Sequence, residues 1–347
     1  MQRVPRARYA IFDAYADTNE DIDMKAYGRA VVAGELAPMA ESIQDGLAST
    51  LAELQSSCRA EYSLMLGPSE CLDAEQNAQV VVNGESYFRG LYTDGSIATW
   101  NLRDQHFVQT VLRLVEYHQS MGDGHAPKCE GTSPKSPSAH NRHAAHYEYA
   151  THPLIIAHVP LHVHAHRCVL WAHNSHVGDA CATELGEREE WNLGQMMRTT
   201  FGRNNTFLLG FGTYDGTVMA AREWGEPAQT FELSPAAAGS CSHVLHNALP
   251  LVRERVGGAE GETINAFALL LKGDGRAAAD DDEEARAPQE ALRAAFGVRR
   301  QQRAVGVCYR QDTEAVSHYV RASLATQFDA WVHVERSAAL EELPAET

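Results

Sequence analysis

The stretch Arg167–Thr183, RCVLWAHNSHVGDACAT, governs how the rest of the chain is read. Cys168–Trp171 is a short apolar run with a β-branched residue and an aromatic, the pattern of a buried strand. It breaks into Ala172-His173-Asn174-Ser175-His176 and then Val177-Gly178-Asp179. Polar residues at that point sit at the carboxyl end of the predicted strand, where open α/β sheets collect ligands and catalytic side chains. Two imidazoles and a carboxamide within four residues can supply a base, a hydrogen-bond donor and an orienting group. Spacing alone fits two satisfied loop histidines equally well.

Working outward, the flanks alternate between helical and strand patterns. Ile43, Leu47, Leu51, Leu54 and Cys58 mark one face of an amphipathic helix within Met39–Met65. Gly67-Pro68-Ser69 stops it, and Ser69 or Asp73 can cap a second helix. The polar Glu75, Gln76 and Asn77 read equally well as a solvated first turn or as site residues. Thr99–Met121 is a third helix, with Val108, Val111, Leu112 and Val115 as its apolar stripe. After the central stretch, Glu189–Phe201 is predicted helical, Asn205–Tyr214 and Gln229–Leu233 strands, and Ser240–Val256 a helix. Ile264–Leu271 reads as a fully buried strand, Arg303–Tyr309 as another, and Phe328–Glu335 as the last. The alternation predicts an α/β fold, a sheet covered by helices on both faces. Gly210 to Gly216 resembles a dinucleotide fingerprint, but TVMAAREW after it is strand-like. The phosphate-cradle reading therefore fails, and the glycines are expected to permit a tight turn.

Two segments break the pattern. Residues 122–166 hold five of the 13 prolines and nine histidines with no apolar period, and they read as an insertion. Its histidines, His140, His143, His146 and the alternating His162, His164, His166, suggest metal binding, against a polar loop without a fixed scaffold. Residues 277–286, AAADDDEEAR, read as a solvated acidic loop.

Charge narrows the function classes. Lys plus Arg number 29 against 46 Asp plus Glu, a formal charge of −17, which repels phosphate backbones and anionic lipid. Nucleic acid and membrane surfaces are thus not expected partners. The seven scattered cysteines fit free thiols, no apolar h-region opens the chain, and no run reaches the roughly 18 residues of a membrane span. The expected location is the cytoplasm. No sequence feature fixes an oligomeric state.

WAHNSHVGD, followed by ATELGEREEWNLGQ, resembles the WAHN-x-H block of the erythromycin esterase family. The similarity extends from about Arg6 to about Glu342 outside the two insertions, giving an expected partial domain over residues 1–342. The resemblance implies an α/β hydrolytic enzyme outside the Ser-His-Asp class, without cofactor or metal, acting on a small-molecule ester or lactone. It places His173 and His176 in the catalytic site, with Asn174 and His318, the latter in a matching Ser-His-Tyr triplet, on the substrate. Arg103 and Asp104 match the family's Arg-acid pair, and a guanidinium is well suited to hold a developing oxyanion. Family members also carry a G-E-x-x-H-G strand end whose His is held to be the water-activating base. None of the Gly-Glu pairs here, at Gly34, Gly84, Gly186, Gly225 and Gly261, has a His three residues on. The expected fold is therefore erythromycin-esterase-like but incomplete at the N-terminus, with impaired hydrolysis. The alternatives are a non-catalytic ligand-binding relative and metal binding through the histidine-rich insertion.

A segment without apolar periodicity adds little core. Deleting residues 122–166 and joining the flanks with a short linker should move the thermal midpoint by no more than a few degrees, about 1 kcal/mol. A larger fall would show that the segment packs.

Overall fold

A computed structural model describes residues 33–34, 37–57, 67–93, 95–122, 168–256, 264–272 and 283–341. The chain divides into two units, Met1–Cys168 and Val169–Thr347. The histidine-rich segment 123–166 lies outside the described residues, as do residues 273–282 of the acidic stretch and its neighbours; residues 283–286 of the predicted loop instead open a helix.

In the first unit the apolar periods become three helices: α1 (Ala37–Ser57), α2 (Pro68–Thr93) and α3 (Gly95–Gly122). Gly67 and Gly95 take positive φ, +90° and +83°, immediately before α2 and at the start of α3, a conformation cheap only for glycine. Cys71, Leu72, Val108 and Val111 are buried. Polar ties fix the pairing of α2 with α3. Arg113 Nε donates to Glu75 Oε2 at 2.8 Å, and Asn83 Nδ2 lies 2.9 Å from His106 Nδ1 and 3.1 Å from Gln109 Oε1. Glu75 is thus neither a solvated first-turn residue nor exposed; it is a buried ion-pair partner.

The second unit is built on a sheet of order β2-β1-β6-β3, from β1 (Leu209–Ala220), β2 (Gln229–Leu233), β3 (Ala266–Leu270) and β6 (Ala330–Ser337). β1 and β6 run parallel, with Leu209 opposite Ala330; β2 and β3 pair antiparallel at either side. The short hairpin of β4 (Arg300–Arg303) with β5 (Tyr319–Ala322) stands apart. Small helices α4 (Asn174–Val177), α5 (Glu184–Glu187), α9 (Glu314–Ser317) and α10 (Leu324–Gln327) punctuate longer ones, α6 (Leu193–Phe201), α7 (Cys241–Val256) and α8 (Glu283–Gly297). This is the mixed α/β architecture of a sheet flanked by helices.

The core comprises Leu208, Cys241, Leu245, Leu271, Phe296, Leu324, Phe328 and Trp331. Gly210 and Gly212 are not turn residues. They lie within β1, and a Cβ added at either would come within 2.5 and 2.4 Å of the Trp331 ring. Their missing side chains make the space that a buried tryptophan needs.

Three strand expectations change. Cys168–Trp171 forms no strand, and Val169 and Trp171 are each 87% exposed. The β1 edge that such a strand would need at Phe211 is occupied by the Asn174 side chain, and the Trp171 ring lies 5.8 Å from that of Phe211. β3 is an edge strand that alternates in burial, with Leu270 49% exposed, rather than fully buried. Arg303–Tyr309 is mostly loop: the ladder with β5 ends at Arg303, and a separate parallel bridge pairs Cys308 with Ala221.

A buried ion network closes the unit. Arg198 Nη1 lies 2.8 Å from Asp179 Oδ2 and donates to Thr326 O at 2.8 Å, while Nη2 lies 3.0 Å from Asp329 Oδ1. Asp329 Oδ2 also accepts from Leu208 N at 2.7 Å. Removing one member of such a buried set costs about 3–5 kcal/mol, because the remaining charges lose their compensation. Arg198→Met should therefore lower the thermal midpoint by roughly 10 °C. Asp329→Asn, which keeps an acceptor for Leu208 N and leaves the Asp179 pair, should cost less. Equal midpoints for Arg198→Met and the parent would refute this.

Candidate active site

The central histidines sit on a single tight turn. His173, at φ −61° and ψ 150°, is the N-cap of α4; its Nδ1 accepts from Ser175 N at 3.2 Å and lies 2.8 Å from Ser175 Oγ. His173 O accepts from the backbone N–H groups of His176 and Val177. An Nδ1 that accepts leaves the ring proton on Nε2. Burial pushes the His173 pKa down, a hydrogen bond to the Val305 backbone opposes this, and repulsion from His176 adds to it. His173 is thus a neutral imidazole with both nitrogens engaged. His176, three residues later, shares the turn and is half-buried.

The turn is held by carboxamides rather than by a strand. Asn174 Nδ2 donates to Phe211 O at 2.6 Å, and its Oδ1 accepts from Phe211 N at 3.2 Å, so one side chain imitates a ladder partner for β1. Asn192, buried, donates to Ser175 O at 2.6 Å and accepts from Gln195 N at 3.0 Å as the N-cap of α6. Gly194 permits the contact: a Cβ there would lie 2.3 Å from Val177 O.

His318, expected at the substrate, turns its ring inward. Its Nε2 accepts from Arg310 N at 3.0 Å, its ring lies 5.1 Å from that of Tyr309, and its carbonyl accepts from Ala304 N. The loop after β4 thereby reaches both sides, His318 through Ala304 and His173 through Val305. Below it, buried Arg303 pairs with Glu314 at 2.7 Å and donates to Tyr214 O at 3.0 Å and Ser234 O at 2.5 Å. Burial, then the Glu314 hydrogen bond and charge, push the Tyr309 hydroxyl well above the ordinary phenol range. Sequence reasoning passed over Arg303, Glu314 and Tyr309. The one available signal was a charge heading the apolar run RAVGVCY.

Arg103 and Asp104 belong to α3 of the first unit. The Arg103 guanidinium stacks 4.7 Å from the centroid of the Trp100 ring, and Asp104 is fully buried. The structure therefore gathers His173, Asn174 and His176 on one turn, brings His318 to the loop beside it, and keeps the Arg-Asp pair on a helix of the other unit.

A sheet flanked by helices with two imidazoles on a turn at its edge is a mixed α/β arrangement in which the sequence carries no G-x-S-x-G nucleophile elbow. Comparison with known families goes further. The sequence profile described as erythromycin esterase matches residues 2–152 and 132–337, and the chain belongs to that family. Two solved structures are similar to it. One, described as a succinoglycan biosynthesis protein, is 14% identical with a TM-score of 0.49 over 87% of this chain and 51% of its own. The other, a Bacillus cereus protein, is 12% identical with a TM-score of 0.49 over 94% of this chain and 62% of its own. The chain thus spans about half to three-fifths of their length. Among the described residues, no helix is long and apolar enough to cross a membrane.

The depressed histidines make stability pH-dependent. Burial lowers both His173 and His106, so the folded chain resists protonation while the unfolded chain protonates near its ordinary value. Their destabilising effect is absent above about pH 6.5 and grows as pH falls below it, by up to about 1.4 kcal/mol per pH unit per group. In urea unfolding at pH 7.5 and 5.0, His173→Asn, which keeps a capping side chain, should lose less stability on acidification than the parent. An unchanged difference would show that His173 is not held neutral.

Proposed function

We propose that this protein hydrolyses a small-molecule ester or lactone by attack of water, with the His173–His176 turn at the reacting carbonyl. The observation that carries the reading is the WAHN-x-H turn itself: two imidazoles, in a member of the erythromycin esterase family, braced by Asn174 on β1 and Asn192 on α6. A site on a turn needs such bracing to keep its geometry. On this reading His176 donates a proton or hydrogen bond as charge develops on oxygen. His173, spent on Ser175 and Val305, positions it. Asn174 and His318 shape the wall through the backbone groups they hold. The roles expected of Arg103 and Asp104 are separate proposals, each open to substitution. No cofactor is required, since water and oxyanion stabilisation suffice for ester cleavage.

The test is turnover of a macrolide lactone and of a simple alkyl ester by the purified full chain, beside His176→Ala and Arg103→Ala. We expect slow hydrolysis above the buffer rate, falling about 10²-fold or more in His176→Ala. Saturable binding of the lactone with no turnover in any variant would replace this reading with that of a non-catalytic ligand-binding relative.

A further inference from the structure

A second group of titratable side chains meets on the helix-covered face of the sheet, and the histidine turn does not account for it. Alternation along β6 puts His333 and Glu335 on the same face, two residues apart, and α7 lays His246 against them. Glu335 Oε1 lies 2.5 Å from His246 Nδ1, and Oε2 lies 3.2 Å from His333 Nε2. The Tyr214 ring stacks on His246, centroids 3.7 Å apart and planes 4° from parallel.

The two imidazoles differ in what they can do. His333 is fully buried, its Nδ1 has no hydrogen-bond partner among the described residues, and burial lowers its pKa against the pull of Glu335. It stays neutral and donates Nε2–H to the carboxylate. Glu335, its side chain 17% exposed, is fixed by that buried donor, and its other oxygen takes the Nδ1 proton of His246. That tautomer leaves the lone pair of His246 on Nε2. The His246 side chain is 36% exposed, and Nε2 makes no hydrogen bond among the described residues. A carboxylate that fixes the tautomer and stabilises the imidazolium, behind an accessible lone pair, is the arrangement of a general base.

The surroundings fit. Glu335 lies toward the carboxyl end of β6, and Tyr214 beside it on the parallel β1, the end where such sheets collect ligands. Nearby charges are already engaged: Asp215 with Arg336 at 3.0 Å, and Arg253 on the Ile264 carbonyl, while His243 Nδ1 accepts from Gly239 N. Among the described residues no group of three His, Cys, Asp or Glu converges to hold a metal ion. The same Tyr214 whose ring covers His246 takes its carbonyl hydrogen bond from Arg303, two residues before the Val305 that holds His173.

We propose that His246 is the general base that activates water for ester hydrolysis, with Glu335 and His333 positioning it. The step rests on the hydrolase reading above. As water oxygen bonds to the ester carbonyl, its proton passes to His246 Nε2. As the carbon–oxygen bond to the leaving group breaks, that proton goes to the departing alkoxide, and the products are a carboxylic acid and an alcohol.

The experiment uses the full chain with p-nitrophenyl acetate, whose leaving group departs without protonation, so the rate reads the base. His246→Asn should lower kcat about 100-fold or more with KM unchanged, and abolish the acidic limb of the pH profile. Glu335→Gln removes the acceptor that fixes the tautomer, so its kcat should fall between those of the parent and His246→Asn, with KM unchanged. Parental kcat in a folded His246→Asn protein overturns the proposal. If the parent shows no turnover, the hydrolase reading fails, and nitrogen-15 histidine spectra of the parent and Glu335→Gln decide the base separately. An Nδ1–H tautomer in the parent that becomes mixed in Glu335→Gln supports it; an Nε2–H tautomer in the parent overturns it.

Discussion

The second unit depends on one buried guanidinium. Arg198 lies between Asp179 and Asp329, all three shielded from solvent, and its bonds add to the backbone tie from Asp179 N to Gln327 O. Asp179 closes the histidine turn, Thr326 lies in α10, and Asp329 precedes β6 while holding the start of β1 through Leu208 N. Burying three ions is tolerable only if each is paired and hydrogen-bonded. That requirement fixes the relative placement of the turn, α6 and the parallel strand pair. The half-exposed Arg203, 3.1 Å from Asp179, brings the cluster close to neutrality.

With that frame set, the turn needs little further support, and what it receives comes from amides. Asn174 and Asn192 each use a carboxamide to satisfy backbone groups that a strand or a longer helix would otherwise satisfy. Such bonds are directional, so they set orientation as well as distance. The price is that Asn174, which the family resemblance offers to a substrate, is committed to Phe211.

Two carboxylates in the unit show how partners divide roles. Glu314 is paired with the permanent charge of Arg303 beneath a buried tyrosine, an arrangement that locks a loop and leaves no proton to move. Glu335 faces two imidazoles, one fully buried and one partly exposed. The same residue type locks a loop in one setting and faces a pair of imidazoles in the other, and the neighbours decide which.

The sequence by itself determined the elements with strong periods and the family. The stripe of α3, the span of β2, the helix α7 and the last strand lie close to where periodicity puts them, and the WAHN-x-H block carries the family. Periodicity reports which residues share a face; it does not report what covers that face. Cys168–Trp171 has a strand's composition, yet the edge it would join is held by a side chain three residues on, a choice that only the folded sheet makes. Gly210 and Gly212 make room for a tryptophan more than a hundred residues away, and Glu75 finds Arg113 across a helix pair. His246 and Glu335 stand 89 residues apart, and no local spacing signals their meeting. The tertiary structure decided these pairings because burial, register and charge compensation are settled between elements, where a one-dimensional pattern carries no information.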